Sequence, residues 1–191
     1  MRRKWRVTFN SPAVIGFAAL CFAAQILSVL TGGAANRLVF SVYRAPLSLL
    51  ACVRCFAHVL GHADWSHLLG NMMYLLILGP MLEEKYGTKR VIIVMLATAF
   101  VIGILNIALF PGTALLGASG IVFAMILLSS FASAKDGEIP ITFLLVAVLY
   151  IGEQALSIFQ ARDNISQMAH IAGGAVGSVF GFFLPKGRIK P

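Results

Sequence analysis

Long apolar segments separated by short polar stretches dominate the chain from residue 12 onward. Several of them reach the roughly 20 residues that an α-helix needs to cross the hydrocarbon core of a bilayer. The pattern predicts six spans, at residues 12–30, 67–82, 91–110, 115–134, 139–158 and 169–184. We therefore expect an all-α membrane protein with six transmembrane helices and one compact domain over residues 12–185.

Residues 31–66 form the longest connection between these spans. Apolar residues such as Leu38, Phe40 and Trp65 are scattered through it, so we expect it to lie partly in the membrane interface with short helices of its own. The other connections are short: a charged turn at 83–90, a turn at 111–113, a polar turn at 135–138 and a polar connection at 159–168.

The first apolar run follows a basic head, and this combination also occurs in signal peptides. Cleavage would then fall near residues 33–35, where small residues cluster. A retained span is the favoured interpretation, because the run is longer than a usual signal core. Retention also makes the number of spans even, which agrees with basic residues at both ends of the chain.

Composition supports the membrane assignment. The 191 residues are 59% hydrophobic and 12% charged, with a mean hydropathy of +0.90, and a soluble domain carries about twice that share of charge. The net charge of +8 does not indicate nucleic-acid binding, because the basic residues fall at span ends and termini. The lipid bilayer is the partner that this pattern predicts.

The distribution of Lys and Arg predicts the orientation. With the amino terminus inside, eleven of the 15 fall in cytoplasmic segments and four, Arg37, Arg44, Arg54 and Arg162, in outer ones. The predicted protein is therefore a multi-pass protein of a cell membrane. Its basic amino-terminal segment (residues 1–11) and its basic tail (residues 186–191) both lie in the cytoplasm.

The three cysteines do not form a recognisable framework. Cys21 lies in an apolar span, and Cys52 and Cys55 form a C-x-x-C with no second pair to complete a zinc site. A redox or disulfide role for this pair stays open, although incidental cysteines are favoured. We expect neither a metal nor an organic cofactor.

Polar residues capable of chemistry recur at one depth. In the predicted topology the second, fourth and sixth spans all enter the membrane from the outer side. His67 and Asn71, four residues apart on one helix face, begin the second span; Ser119 begins the fourth and His170 the sixth. Intramembrane polar residues are costly and usually face a protein interior or a water-filled cavity.

Small residues form matching rows on two of these spans. In the sixth span glycines recur every four residues, at Gly173, Gly177 and Gly181, and in the fourth span Gly120 and Ala124 form a similar row. Such rows let helices approach closely, and Gly117 and Gly120 leave the backbone beside Ser119 bare.

Packing of those rows would bring His170 against Ser119. A serine needs an adjacent base to become a nucleophile, and histidine is the usual one. His67 and Asn71 could then donate hydrogen bonds to a developing oxyanion. Phe123, one turn below Ser119, would pack on the His170 ring.

Four motifs, in order and at consistent depths, resemble those of the rhomboid family of intramembrane serine proteases. They are Gly-x-Ser-Gly at 117–120, Ala-His-x-x-Gly-x-x-x-Gly at 169–177, His-x-x-x-x-His-x-x-x-Asn at 62–71 and Glu-x-x-x-Gly at 83–87. The resemblance covers residues 12–185, in the basic form of the family. It implies a six-transmembrane-helix rhomboid-like bundle.

The resemblance also implies roles for single residues. Ser119 would be the nucleophile and His170 the general base of a dyad without an acid. His67, Asn71 and the backbone N–H of Ser119 would form the oxyanion hole. Gly117, Gly120, Phe123, Gly173 and Gly177 would support the site. The implied partners are transmembrane protein substrates, cleaved near the outer membrane face.

The chain departs from the family pattern at two places. Val53 precedes Arg54 where the family has Trp, which puts the packing of the outer loop in doubt. Phe123 stands where the family often has Tyr, which removes a hydroxyl and keeps the ring. Arg54 and His58 match polar positions of the family's first outer loop. Neither departure touches the dyad.

Other interpretations compete with these assignments. His58, His62 and His67 lack the H-E-x-x-H spacing of a zinc protease, and a structural role in the loop is favoured for the first two. An aspartate pair with G-x-G-D and the nucleophile elbow of soluble hydrolases are also absent from the sequence. Asn71 could serve as a polar contact between helices, and Glu83 is expected to support its turn.

A catalytically silent rhomboid-like protein that binds or escorts membrane proteins is the main rival to a protease. The intact set of four polar residues argues against it. A transporter ranks third, because paired charges and broken helices at mid-membrane are not evident. The roles of Glu153 and Asp163, the substrate and the oligomeric state stay open.

Overall fold

The structure is a computed structural model that describes residues 9–132, 138–160 and 164–184. Several sequence predictions lie outside these ranges: the basic head and tail, most of the polar turn at 135–138, Arg162 and Asp163. The side chain of Glu153 is also outside the described part of the chain.

The described residues form an all-helical protein, which confirms the predicted fold class. Eight α-helices follow one another: α1 Pro12–Leu30, α2 Ala34–Leu38, α3 Leu49–Ala57, α4 Trp65–Tyr86, α5 Thr88–Leu109, α6 Ser119–Ser129, α7 Ile141–Gln160 and α8 Asn164–Phe183. A 3-10 turn, His58–Leu60, continues α3. The extended pairing in this part of the chain is one isolated bridge between Val42 and Leu115.

Two of the described helices, α1 and α5, are long and apolar enough to cross a bilayer, judged by length and composition. Helices α4, α7 and α8 have 22, 20 and 20 residues. Helix α6 has 11 residues and is therefore only about 16 Å long, against a hydrocarbon core of about 30 Å. The count of six spans stays a prediction.

The helix boundaries differ from the predicted spans at the two most informative places. Helix α6 begins at Ser119 rather than at residue 115, because Gly117 has φ +130° and Leu115 pairs with Val42. Helix α8 begins at Asn164 rather than at residue 169. His170 therefore lies inside the helix, with more than one helical turn before it and more than one after it.

Helix α6 is the centre of the bundle. It packs against α4, α5, α7 and α8, and Ile121, Met125 and Leu128 are at most 1% exposed. A helix surrounded in this way has little freedom to shift, so it can serve as the rigid support of a site at its amino-terminal end.

Helix α1 is fixed to α4 at the end of the molecule opposite Ser119. The two carboxylate oxygens of Glu83 accept hydrogen bonds from the backbone N–H groups of Ala13 and Val14, at 3.0 and 3.1 Å. Gly79 leaves room for Val14, whose side chain a Cβ at Gly79 would overlap. Glu83 therefore caps the first turn of α1, a role that its position in the predicted turn did not reveal.

The outer loop contains α2 and α3 and is held by buried polar contacts. Arg54 Nε donates to the Leu38 carbonyl at 2.8 Å, and its guanidinium lies 4.4 Å from the centre of the Tyr43 ring. Asn36 Nδ2 donates to the His62 carbonyl at 2.7 Å. Arg54 is thus a structural residue of the loop, and Val53 beside it is partly exposed.

Candidate active site

Ser119 is the first residue of α6. The residue at its N-cap, Ala118, has no polar side chain that could cap the helix. The first hydrogen bond of the new helix runs from the N–H of Val122 to the carbonyl of Ala118 at 3.0 Å, so the earlier N–H groups have no partner within the helix. These groups and the helix dipole give the surroundings of Ser119 a positive partial charge.

The outer loop fixes the chain just before Ser119. Val42 and Leu115 exchange two backbone hydrogen bonds, each 2.9 Å long, and the N–H of Gly117 donates to the His58 carbonyl at 3.0 Å. Asn106 on α5 donates from Nδ2 to the Val42 carbonyl at 3.0 Å. The position of Ser119 therefore depends on a loop that precedes it by more than 60 residues.

The small-residue rows of α6 and α8 lie in contact. A Cβ built on Gly173 would overlap the backbone carbonyl of Gly120, and a Cβ built on Gly177 would overlap that of Ala124. Below them, a Cβ on Gly181 would overlap the Phe131 ring. The two backbones touch directly, and this contact determines how near the amino-terminal half of α8 comes to Ser119.

His170 lies one turn before Gly173, and its ring packs against Phe123 of α6. The two ring centres are 4.2 Å apart with an angle of 45° between the planes. Ser119 and His170 both line one cavity. The structure thus brings together the two residues that the sequence predicts as nucleophile and base.

His67 reaches the same cavity from α4. Asp64 caps this helix, because its carboxylate accepts the N–H of His67 at 2.7 Å. The N–H of Ala63 donates to His67 Nδ1 at 3.5 Å, which favours the tautomer with the ring proton on Nε2. A Cβ built on Gly117 would lie 3.0 Å from His67 Nε2. Glycine at position 117, two residues before Ser119, therefore leaves room for the His67 ring.

Asn71 is buried one turn further along α4 and also lines the cavity. Its Nδ2 donates to the His67 carbonyl at 3.1 Å. An amide nitrogen carries two hydrogens, so this contact with its own helix leaves a second donor for a group in the cavity.

The cavity has a volume of about 860 Å³ and lies between α4, α6, α7 and α8. One side is polar and the other apolar, with Val122, Ile126, Val146 and Leu149 among the apolar residues. Sequence reasoning missed four members with polar groups, Asp64, Ser66, Tyr74 and Ser166. The signal for Ser166 was its position four residues before His170, which places both on one face of α8.

His58 and His62 are not among the residues that line this cavity. His58 is 1% exposed and donates from Nε2 to the Ala99 carbonyl at 3.0 Å; burial lowers its pKa to about 4. His62 is fully buried, with its ring centre 5.0 Å from that of His67. Burial, and secondly the charge of His67, lower the pKa of His62 to about 4.

Metal-binding groups do not assemble in the described residues. No three His, Cys, Asp or Glu side chains there lie close enough together to hold a metal ion. Within the C-x-x-C, Cys52 is exposed and Cys55 is buried, and both are free thiols. Burial, and secondly Cys52, raise the pKa of Cys55.

Comparisons with known proteins agree with this arrangement. The family described as Rhomboid domain matches residues 50–187. The chain is similar to the Rhomboid protease GlpG of Yersinia pestis, with 26% identity over 179 residues that cover 90% of this chain and 62% of that protein. It is also similar to RHOMBOID-like protein 12, mitochondrial, of Arabidopsis thaliana, with 28% identity over 152 residues that cover 68% of this chain and 45% of that protein. The chain spans less than two thirds of the length of these relatives.

Proposed function

We propose that this chain, which belongs to the rhomboid family, is an intramembrane serine endopeptidase with Ser119 and His170 as its catalytic dyad. One observation carries the proposal: both side chains line one cavity, on two helices whose backbones touch through Gly120 and Gly173. A relative of the same family is named a protease.

The chemistry follows from these positions. Ser119 Oγ attacks the carbonyl carbon of the scissile peptide bond while His170 accepts the hydroxyl proton. The tetrahedral intermediate collapses when His170 returns that proton to the leaving amine, and an acyl-enzyme on Ser119 is left. A water molecule, deprotonated by His170, then attacks the ester and releases the second product. Ser119 recovers its proton from His170.

The oxyanion of each intermediate needs donors that are in place beforehand. The N–H of Ser119 at the start of α6 and the Nε2–H of His67 beside Gly117 are suitable donors. The second amide hydrogen of Asn71 is a third. These groups belong to two helices that are packed against each other, so little reorganisation accompanies the reaction.

The substrates are proposed to be transmembrane segments of other proteins. The apolar side of the cavity, formed by α6 and α7, suits an apolar segment better than a polar peptide. A peptide bond within a helix is poorly open to attack, so a preferred segment is weakened by glycine or other small residues near the cut. Equal cleavage of a strongly helical, glycine-free segment would contradict this preference.

The topology belongs to the same proposal. Residues 12–185 form a six-span domain of a cell membrane, between an amino-terminal segment (1–11) and a tail (186–191) that are both cytoplasmic. The dyad then lies below the outer surface, and cleavage occurs at the outer end of the substrate segment. The excess of Lys and Arg in the inner segments supports this orientation.

Labelling by a fluorophosphonate serine probe tests the dyad directly. We expect the parent protein to be labelled and the Ser119→Ala and His170→Ala variants to remain unlabelled. Ser166→Ala is the matched control, because Ser166 is another serine that lines the same cavity. This variant should label like the parent.

Two other outcomes would change the conclusion. Absence of labelling in folded parent protein would favour a catalytically silent binding protein. Labelling that survives in Ser119→Ala would mean that another serine is the nucleophile. Cleavage of a model transmembrane substrate by the parent and not by Ser119→Ala would then extend the result from an activated serine to a protease.

A further inference from the structure

A second cavity, with a volume of about 580 Å³, lies between α1, α5 and the loop helix α3. It shares no lining residue with the cavity around Ser119. All of the described residues that line it are apolar, including Phe17 and Leu20 of α1 and Ile92 and Leu96 of α5. A site of this kind binds hydrocarbon rather than a peptide backbone, since it offers no side-chain hydrogen bonds.

The position of this groove along the helices limits its occupant. Its α1 side begins at the first residue, Pro12, and its α5 side runs from Ile92 to Ala99, which is a rise of about 10 Å. That length fits within one leaflet, about half of the 30 Å hydrocarbon core. The groove therefore begins in the leaflet next to the charged segment at 83–90, the predicted cytoplasmic side, and ends against outer-loop residues such as Val53, Phe56 and Leu60.

A cation, Lys89, lies one turn before Ile92, the first α5 residue that lines the groove. Lys89 is exposed and precedes Ile92 by three residues and Leu96 by seven, so all three share one face of α5. Glu83, a carboxylate at the same end, is 4% exposed and is engaged by the first turn of α1. The accessible charge on this face of α5 is therefore positive, next to an apolar groove.

We propose that this groove binds an acyl chain of an anionic glycerophospholipid from the inner leaflet, with Lys89 beside its phosphate. The proposal rests on the membrane embedding given above and not on the protease chemistry. A single acyl chain fits the volume. A transmembrane helix is about 10–12 Å across, so a 10 Å length of it would overfill the groove, which argues against a second protein chain as the occupant.

Native mass spectrometry of the full chain can test the site, with phosphatidylglycerol and phosphatidylcholine of identical acyl chains as probes. We expect Lys89→Gln to weaken binding of phosphatidylglycerol about fivefold, since a basic residue near the surface contributes about 1 kcal/mol, and to leave phosphatidylcholine unchanged. Gly16→Phe should reduce binding of both lipids, because a side chain at Gly16 enters open space in the groove.

Two matched variants serve as controls. Lys85→Gln removes a cation at the inner end of α4, and Gly152→Phe adds the same ring at an open position on α7. Both should bind the two lipids like the parent. A fold check by thermal unfolding accompanies each variant, and Lys89→Gln remains informative if Gly16→Phe does not fold.

Three results would overturn the proposal. If Lys89→Gln bound each lipid as tightly as the parent does, Lys89 would have no role in binding. If folded Gly16→Phe bound both lipids as tightly as the parent does, the groove would not be the binding site. A dimer of the parent that Gly16→Phe dissociates would make the groove an interface between two copies of the chain. All of these readouts are independent of proteolysis, so they do not depend on whether Ser119 is active.

Discussion

Alanine at Gly173 or Gly177 would place a methyl group where the backbones of α6 and α8 touch. A Cβ at Gly173 would lie 2.8 Å from the carbonyl carbon of Gly120, and a Cβ at Gly177 would lie 2.7 Å from that of Ala124. Non-bonded carbon atoms prefer a separation of about 3.5–4.0 Å. The obstacle is backbone rather than a flexible side chain, so the helices themselves have to separate by about 1 Å.

This displacement should affect stability and activity by different amounts. Overpacking of a core costs about 1–3 kcal/mol, which exceeds the gain of at most about 1 kcal/mol that alanine brings to a helix over glycine. The same displacement moves His170 relative to Ser119, and a misplacement of about 1 Å can reduce the rate about 100-fold. Gly173→Ala should have the larger effect on rate, because Gly173 is one turn from His170 and Gly177 is two.

The assay combines two measurements on each variant. The free energy of unfolding can be followed with a thiol-reactive dye in a Cys52→Ser background, because Cys52 is exposed whereas Cys21 and Cys55 are buried in the folded state. The rate of fluorophosphonate labelling, taken well below the unfolding temperature, reports the geometry of the dyad. Gly16→Ala is the matched control: the same change in a helix, at a position where a Cβ meets no atom within 4 Å.

The reasoning would be refuted if Gly173→Ala and Gly177→Ala matched Gly16→Ala in both measurements. That result would mean that the α6–α8 contact is not as close as the structure has it. A loss of stability with an unchanged labelling rate would mean that the contact stabilises the fold but does not determine the position of His170.

Three further predictions address the oxyanion donors, a buried histidine and a helix cap. His67→Ala and Asn71→Ala should each lower kcat for a model substrate about 10²–10³-fold, with the fold retained in thermal unfolding; an effect on KM alone would contradict their proposed role. Because the pKa of His58 is lowered to about 4 from an ordinary value of 6.5, the unfolded chain binds a proton that the folded chain resists. His58 alone should lower the free energy of unfolding by about 3 kcal/mol as pH drops from 6.5 to 4. The pKa of His62 is lowered in the same way, so His58→Gln should make that part of the profile less steep without removing the slope. Glu83→Gln should lower the free energy of unfolding by about 1–2 kcal/mol, because an amide offers one acceptor oxygen in place of two charged ones; an unchanged midpoint in denaturant would refute the cap.

Helix positions were predicted well where apolar runs are long and their ends are marked by polar residues or turns. The span predicted at 12–30 coincides with α1, and the predicted third span, 91–110, differs from α5, Thr88–Leu109, by three residues or fewer at each end. At 159–168 the polar composition indicated a connection, yet α8 begins at Asn164. The polar composition was misleading there. No glycine or proline interrupts residues 164–168, and packing of α8 against α6 can keep polar residues in a helix.

The sequence by itself determined the helical class, the rows of small residues and the identity of the candidate polar residues. These features are local or periodic, so they can be recognised in the sequence. A bilayer also restricts the structures that a long apolar run or a polar backbone group can adopt. Only the tertiary structure decided that Val42 pairs with Leu115 and that the His58 carbonyl accepts the N–H of Gly117. It also decided that Glu83 caps α1. Each of these contacts joins a backbone group to a partner far away in the chain, and any residue type can supply such a group. No pattern in the sequence therefore marks them, although the first two determine where Ser119 lies.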